Sequence, residues 1–159
     1  SLREGIVREA SIAQNGNSVK ELSVSDVNGQ VSFSDFMNVL AGLDADIIAG
    51  IAEDDFTAFL YYDANGVWPG YIARMKPDAT AVVSAAALAG LEEANIENFY
   101  IEDPGERGDF QTGQIKGTPV RYAQFSAAGA SLNYGILGNY VIITTSFDGF
   151  KEAMRLLGI

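Results

Sequence analysis

Hydrophobic and polar positions in this chain alternate mostly with a period of two, and shift to helical spacing in a few segments. Phe33, Phe36, Met37, Leu40 and Leu43 recur at helical spacing behind Ser32 or Ser34, which predicts a capped helix with an apolar inner face. Ile47, Ile48 and Ile51 extend it by a further short turn. Residues 80–93 are alanine-rich and predict a second helix, with Val83, Ala87, Leu88 and Leu91 as its apolar positions. Residues 146–157 predict a last helix with Phe147, Phe150, Met154 and Leu157 inward. The first fourteen residues fit two templates. Leu2, Ile6, Ala10 and Ala13 form a helical stripe behind a Ser1…Glu4 capping box, whereas Ile6, Arg8, Ala10 and Ile12 alternate as a strand.

Strands are predicted at 18–24, 56–62, 67–76, 110–114, 120–125, 131–137 and 140–145, with a further one at 96–101. Turn residues separate them at Asn15-Gly16-Asn17, at 26–29, 63–66, 127–129, at Gly117 and at Gly138-Asn139. Glu53-Asp54-Asp55 predicts a solvated charge run, and 102–109 a loop. Pro69 is compatible with an edge strand or a bulge near the start of its strand. A hairpin followed by a helix occurs twice, over 56–93 and 131–157. The expected architecture is a single α+β domain over 1–159: an antiparallel sheet with helices mainly on one face.

Composition narrows the chemistry. The 159 residues include neither cysteine nor histidine. That excludes disulfides, thiol nucleophiles, cysteine-ligated metals, a Ser-His-Asp triad and imidazole ligation. No serine lies three positions before Lys20, Lys76, Lys116 or Lys151, and no serine sits in a G-x-S-x-G elbow. No two glycines are two residues apart and no P-loop is present, so neither phosphate-cradling loop exists and no cofactor is implied. Twenty-one acids against ten bases leave a net charge of -11. With basic residues scattered apart from Arg74 and Lys76, nucleic acid is excluded as a partner and an anionic membrane surface is disfavoured. A hydrophobic content of 48% supports a proper core, and no run of 18 apolar residues exists to span a bilayer.

Four groups of residues are candidates for function. Tyr61, Tyr62, Trp68 and Tyr71 crowd the first hairpin, where exposed rings would bind a protein or a carbohydrate. The alternative places them in the core. Arg121, inside a strand, would hold a ligand carboxylate or pair with an acid such as Asp63 or Asp109. Asp26, Asn28, Ser32 and Asp35 fall on positions 3, 5, 9 and 12 of a calcium loop like those of dockerins, but Val24 occupies position 1. The alternative is a strand–turn–helix connection in which the same side chains cap the helix. The acids at Asp54-Asp55, Glu92-Glu93 and 102–109 would serve a glycan hydrolase only if two of them faced each other across a cleft.

The stretch from Phe56 onward carries FLYYD at 59–63, a helix ending in Leu91-Glu92, then Arg121-Tyr122, LNY at 132–134 and YVIITTS at 140–146. In this order it resembles uncharacterised ectodomains of bacteria with small genomes, which are predicted to hang outside the cell from one N-terminal membrane helix. The resemblance implies an extracytoplasmic location and an anchor preceding Ser1, and carries no activity or catalytic residues. The expected function is a non-enzymatic binding or assembly module, the soluble part of a membrane-anchored protein. The alternatives are a carboxylate-based glycan hydrolase and a small calcium-stabilised domain. The oligomeric state is not encoded in any motif.

Overall fold

The computed structural model describes residues 1–12 and 17–159. Ala13 and the Asn15-Gly16 portion of the first expected turn lie outside the described residues. The N-terminal segment is a helix, α1 (Leu2–Ala10), and the capping box settles it: Ser1 Oγ accepts from the Glu4 amide while Glu4 reaches back to Ser1. Strand β1 (Ser18–Leu22) follows, then a small hairpin of β2 (Ser25–Asp26) and β3 (Gly29–Gln30). Helix α2 (Phe33–Ala41) starts at Ser32, whose hydroxyl accepts from the Asp35 amide, and stops at Gly42 in the left-handed region. Helix α3 (Ala45–Ala49) is capped by Asp44. The hairpin β4 (Ala52–Asp63) and β5 (Gly66–Met75) leads to α4 (Ala81–Leu88). Strands β6 (Gln111–Ile115), β7 (Thr118–Gln124), β8 (Ser131–Leu137) and β9 (Tyr140–Thr144) precede α5 (Phe147–Leu157).

The architecture is α+β: a seven-stranded antiparallel sheet in the order β1-β4-β5-β9-β8-β7-β6, with β2–β3 as a separate pair. Side-chain alternation divides the central strands between two cores. Ala58, Leu60 and Tyr62 of β4, Val141 and Ile143 of β9, and Leu132 and Tyr134 of β8 face α1, α2, α3 and α4. Phe59, Ile72, Leu137 and Ile142 face the other way, onto Phe150, Ala153 and Met154 of α5. Helices therefore lie mainly on one face, and the two hairpin-helix units send their helices to opposite faces. The physical reason is that FTAFLYY and YVIIT are apolar on both sides, so a sheet covered on one face alone would leave Phe59 and Ile142 in water.

Several local expectations are corrected. Residues 96–101 do not form a strand; Ile96–Phe99 is a 3-10 turn that buries Ile96 and Phe99. The acidic run Glu53–Asp55 keeps Asp54 and Asp55 in solvent, as expected, with Glu53 half-buried, but it lies within β4, where the register slips from Ala52↔Met75 to Phe56↔Ala73. Pro69 lies in β5, which is internal. Its carbonyl accepts from the Thr145 amide (3.1 Å) and hydroxyl (2.7 Å), so the side lacking an N–H faces the end of β9. Phe147 is exposed with Lys151 over its ring, and Val83 is exposed as well. Within the first hairpin, Gly70 makes room for its cross-strand partner Phe59: a Cβ built at Gly70 would stand 2.2 Å from Cζ of that ring.

Phe150 is the fully buried centre of the α5 core. Phe150→Ala is expected to cost about 3–5 kcal/mol through lost burial and the cavity left behind. Urea unfolding checks this, with the midpoint shifted down and the slope retained.

Candidate interaction surface

The aromatic cluster of the first hairpin is assigned to the core. Trp68 is 8% exposed and Tyr71 is 1% exposed. Tyr62 is buried against α1, with its hydroxyl directed at the Glu9 carbonyl at 3.5 Å, and Tyr61 is half-buried. Tyr71 stacks at a tilt on Phe36 and Phe99, with ring centroids 5.0 and 5.6 Å away. Burial pushes the Tyr71 phenol well above its ordinary pKa. Asp63 organises the turn, accepting at Oδ1 from the amides of Asn65 and Gly66 and from the Trp68 indole (2.9 Å). These rings therefore offer no open aromatic face, because the sheet carries a helix on each side.

Arg121 is paired, but with neither Asp63 nor Asp109. Its guanidinium grips Glu92 through two bonds, Nη2 to Oε1 at 2.6 Å and Nε to Oε2 at 3.0 Å, and its Nη1 donates to Thr112 Oγ1 at 2.9 Å. The Tyr134 hydroxyl donates to the same carboxylate, and Arg107 donates to the Glu92 carbonyl at 2.9 Å. The Arg121 bonds hold the Glu92 carboxyl below its usual range against partial burial, with Tyr134 assisting. The same bonds raise Arg121 further. Burial, followed by the bond to Glu92, pushes the Tyr134 phenol up. Glu92 ends the 3-10 turn after α4, so this knot fastens the end of that helix to β7 and β8. The carboxyls of Glu4, Glu9 and Glu92 are all displaced downward, opposite to what a general acid requires.

The residues of the calcium-loop match are engaged locally. Asp26 Oδ1 accepts from the Asn28 amide at 2.7 Å across the β2–β3 turn, and Ser32 caps α2 at the Asp35 amide. Among the described residues no group of three or more acidic side chains is placed to hold a metal ion. Asp26, Asn28 and Asp35 line a broad cleft of about 1210 Å³ between α1, β1 and the β2–β3 hairpin. Lys20 and Glu9, also on its wall, are paired with each other at 2.6 Å.

The most unusual surface is α4. From Ala79 to Leu91 the sequence contains no charged residue. Alanine favours the helix, and Thr80 caps it by accepting from the Val83 amide at 3.2 Å. Only Ser84 and Leu88 are buried within α4; Leu91 just beyond it is also buried. Val82 is 80% exposed and Val83 58% exposed, and Ala81, Ala85, Ala86 and Ala89 are exposed with them. Across a groove of about 280 Å³, floored by Leu43, Ile48, Ala87 and Gly90, Ile47 of α3 is 54% exposed. An isolated exposed valine means little, but a helix apolar all round is ordinarily buried. The sequence marks Val83 as one of the apolar positions of this helix without giving it a side. The signal that marks this surface was the uncharged run itself, thirteen residues long in a chain of net charge -11.

Compared with protein-family models, curated proteins and solved structures, the chain matches none. No described helix is long and apolar enough to cross a membrane.

Two outcomes follow from these placements. The buried Tyr71 hydroxyl has no hydrogen-bond partner, so Tyr71→Phe is expected to leave stability unchanged or raise it by about 1 kcal/mol, read by thermal unfolding. Glu92→Gln is expected to cost about 1 kcal/mol near neutral pH, the upper end for a partly solvated ion pair. Because the folded carboxyl titrates below the unfolded value of about 4.3, the wild-type advantage is complete above that pH. It shrinks as pH falls through the folded value, which paired urea titrations of the two proteins between pH 7 and acid would show.

Proposed function

We propose that this chain is a non-enzymatic binding or assembly module, the extracytoplasmic soluble part of a membrane-anchored protein, and that the outer side of α4 with Ile47 is its contact face. The single observation that carries the proposal is an uncharged eight-residue helix presenting Val82 and Val83 to solvent. Water contact with this apolar side is unfavourable by roughly 25 cal/mol per Å², and a partner's surface removes that cost. The groove beside the helix is lined by Asp44 and Glu93, so a partner with apolar side chains and a basic rim complements it. The rigidity of the platform supports the same assignment, since Arg121, Tyr134 and Arg107 all hold Glu92 at the end of the helix.

The test is site-specific photo-crosslinking in the organism that makes the protein, with the photoreactive residue at position 83 and, as control, at the exposed Lys151. A discrete adduct at 83, absent at 151 and lost in Val82→Glu, is the expected result. Equal labelling at both positions, or none at 83, would overturn the proposal.

A further inference from the structure

The two edges of the sheet differ. β1 carries Lys20 and Glu21, and Lys20 is tied to Glu9 of α1. β6, Gln-Thr-Gly-Gln-Ile, has no charge, no proline and no recorded break in register with β7, so it lacks the usual protections of a free edge. Register identifies its free backbone groups. Lys116 (φ 50°) and Gly117 (φ 78°) form the two-residue turn between β6 and β7. Ile115↔Thr118 is therefore the hydrogen-bonded closing pair, and alternation makes Gly113↔Val120 and Gln111↔Tyr122 the other bonded pairs. Thr112 and Gln114 direct their N–H and C=O groups away from β7. Pro119 agrees with this assignment: opposite Gln114 and without an N–H, it fits only a non-bonded pair. No backbone bond from any other described element reaches Thr112 or Gln114.

We propose that β6 is a self-association edge, pairing antiparallel with β6 of a second copy about a two-fold axis at Gly113. The strand is self-complementary in that register. Thr112 of each copy faces Gln114 of the other, so both outward pairs exchange N–H···O=C bonds, and Gly113 meets Gly113 in the close non-bonded pair where side chains would crowd. Tyr122 of the same chain already covers that glycine, its Cε1 lying 3.2 Å from a built Cβ. Charge points to the same occupant. Asp109 and Lys116, both exposed, flank the strand, and the two-fold register sets Asp109 of one copy opposite Gly117 of the other, next in sequence to its Lys116. An attraction at each end thus opposes the general repulsion of two chains of charge -11. This edge lies apart from α4 and does not depend on the role proposed for that helix.

Sedimentation velocity on a dilution series up to about 1 mM chain tests the proposal. The expected result is a concentration-dependent dimer. Gln114→Pro removes an outward N–H without touching the β7 ladder, and is expected to weaken dimerisation about tenfold or more while circular dichroism stays native. Should Gln114→Pro fail to fold, the charge variants decide: Asp109→Lys weakens the dimer, and Asp109→Lys with Lys116→Asp restores it. A wild-type chain that stays monomeric throughout would overturn the proposal. So would a dimer indifferent to the charge variants or to a folded Gln114→Pro.

Discussion

The constraint on which the rest of the structure depends is that the four central strands are apolar on both sides. In β4, β5, β9 and β8, alternate residues enter two separate cores, and neither core can be left open. Antiparallel sheets often keep one face in water, but this one cannot, because Phe59, Ile72 and Ile142 stand opposite to Leu60, Tyr71 and Ile143. One helix, α5, closes the smaller core with Phe150, Ala153 and Met154, while the others share the larger one. Once both faces are covered, Tyr62, Trp68 and Tyr71 of the first hairpin are buried and Tyr61 is left half-buried.

That covering leaves an imbalance on the larger face. α2 sends Phe33, Phe36, Met37 and Leu40 inward and fills much of the available core. α4, which packs beside α3, buries little more than Leu88 and Ser84 yet is apolar on every side. Its attachment is completed beyond the helix, by Leu91 in the core and by the bonds that Arg121, Tyr134 and Arg107 make to Glu92. A polar knot at one end and a bare apolar surface on the outside make a fixed platform. Asp44 and Glu93 border the groove beside it, and the partner proposed for this face would be apolar at the centre and basic at the rim.

The sequence made much of this legible, and the limits are physical. The capped helices and the hairpin turns were readable because Ser32, Ser146, Asp63 and Gly138 act on neighbours within a few residues. Two-sided burial was visible in FTAFLYY, but which helix would answer each side depends on packing between elements far apart in the chain. The partner of Arg121 is hidden for the same reason: Glu92 is 29 residues away and reaches it only once α4 packs on β8. Glu53–Asp55 reads as a solvated charge run outside the strand at 56–62 because strands rarely hold three acids, and a slip in register is what lets β4 include it. The aromatic cluster fits core and surface equally, because aromatic content alone does not separate those outcomes. The uncharged length of residues 79–91 does carry that information for α4, since a soluble helix normally has a polar side.

Hydroxyl-radical footprinting, read residue by residue, tests the central claim that burial on both faces hides the aromatic hairpin and leaves α4 bare. The account predicts that Trp68 and Tyr71 are protected in the folded protein relative to the partly exposed Tyr122 and Tyr140, and that Val82 and Val83 are oxidised at the rate of solvent-exposed valine. Oxidation of Trp68 and Tyr71 as fast as Tyr122, with Val82 and Val83 protected in the isolated protein, would contradict it.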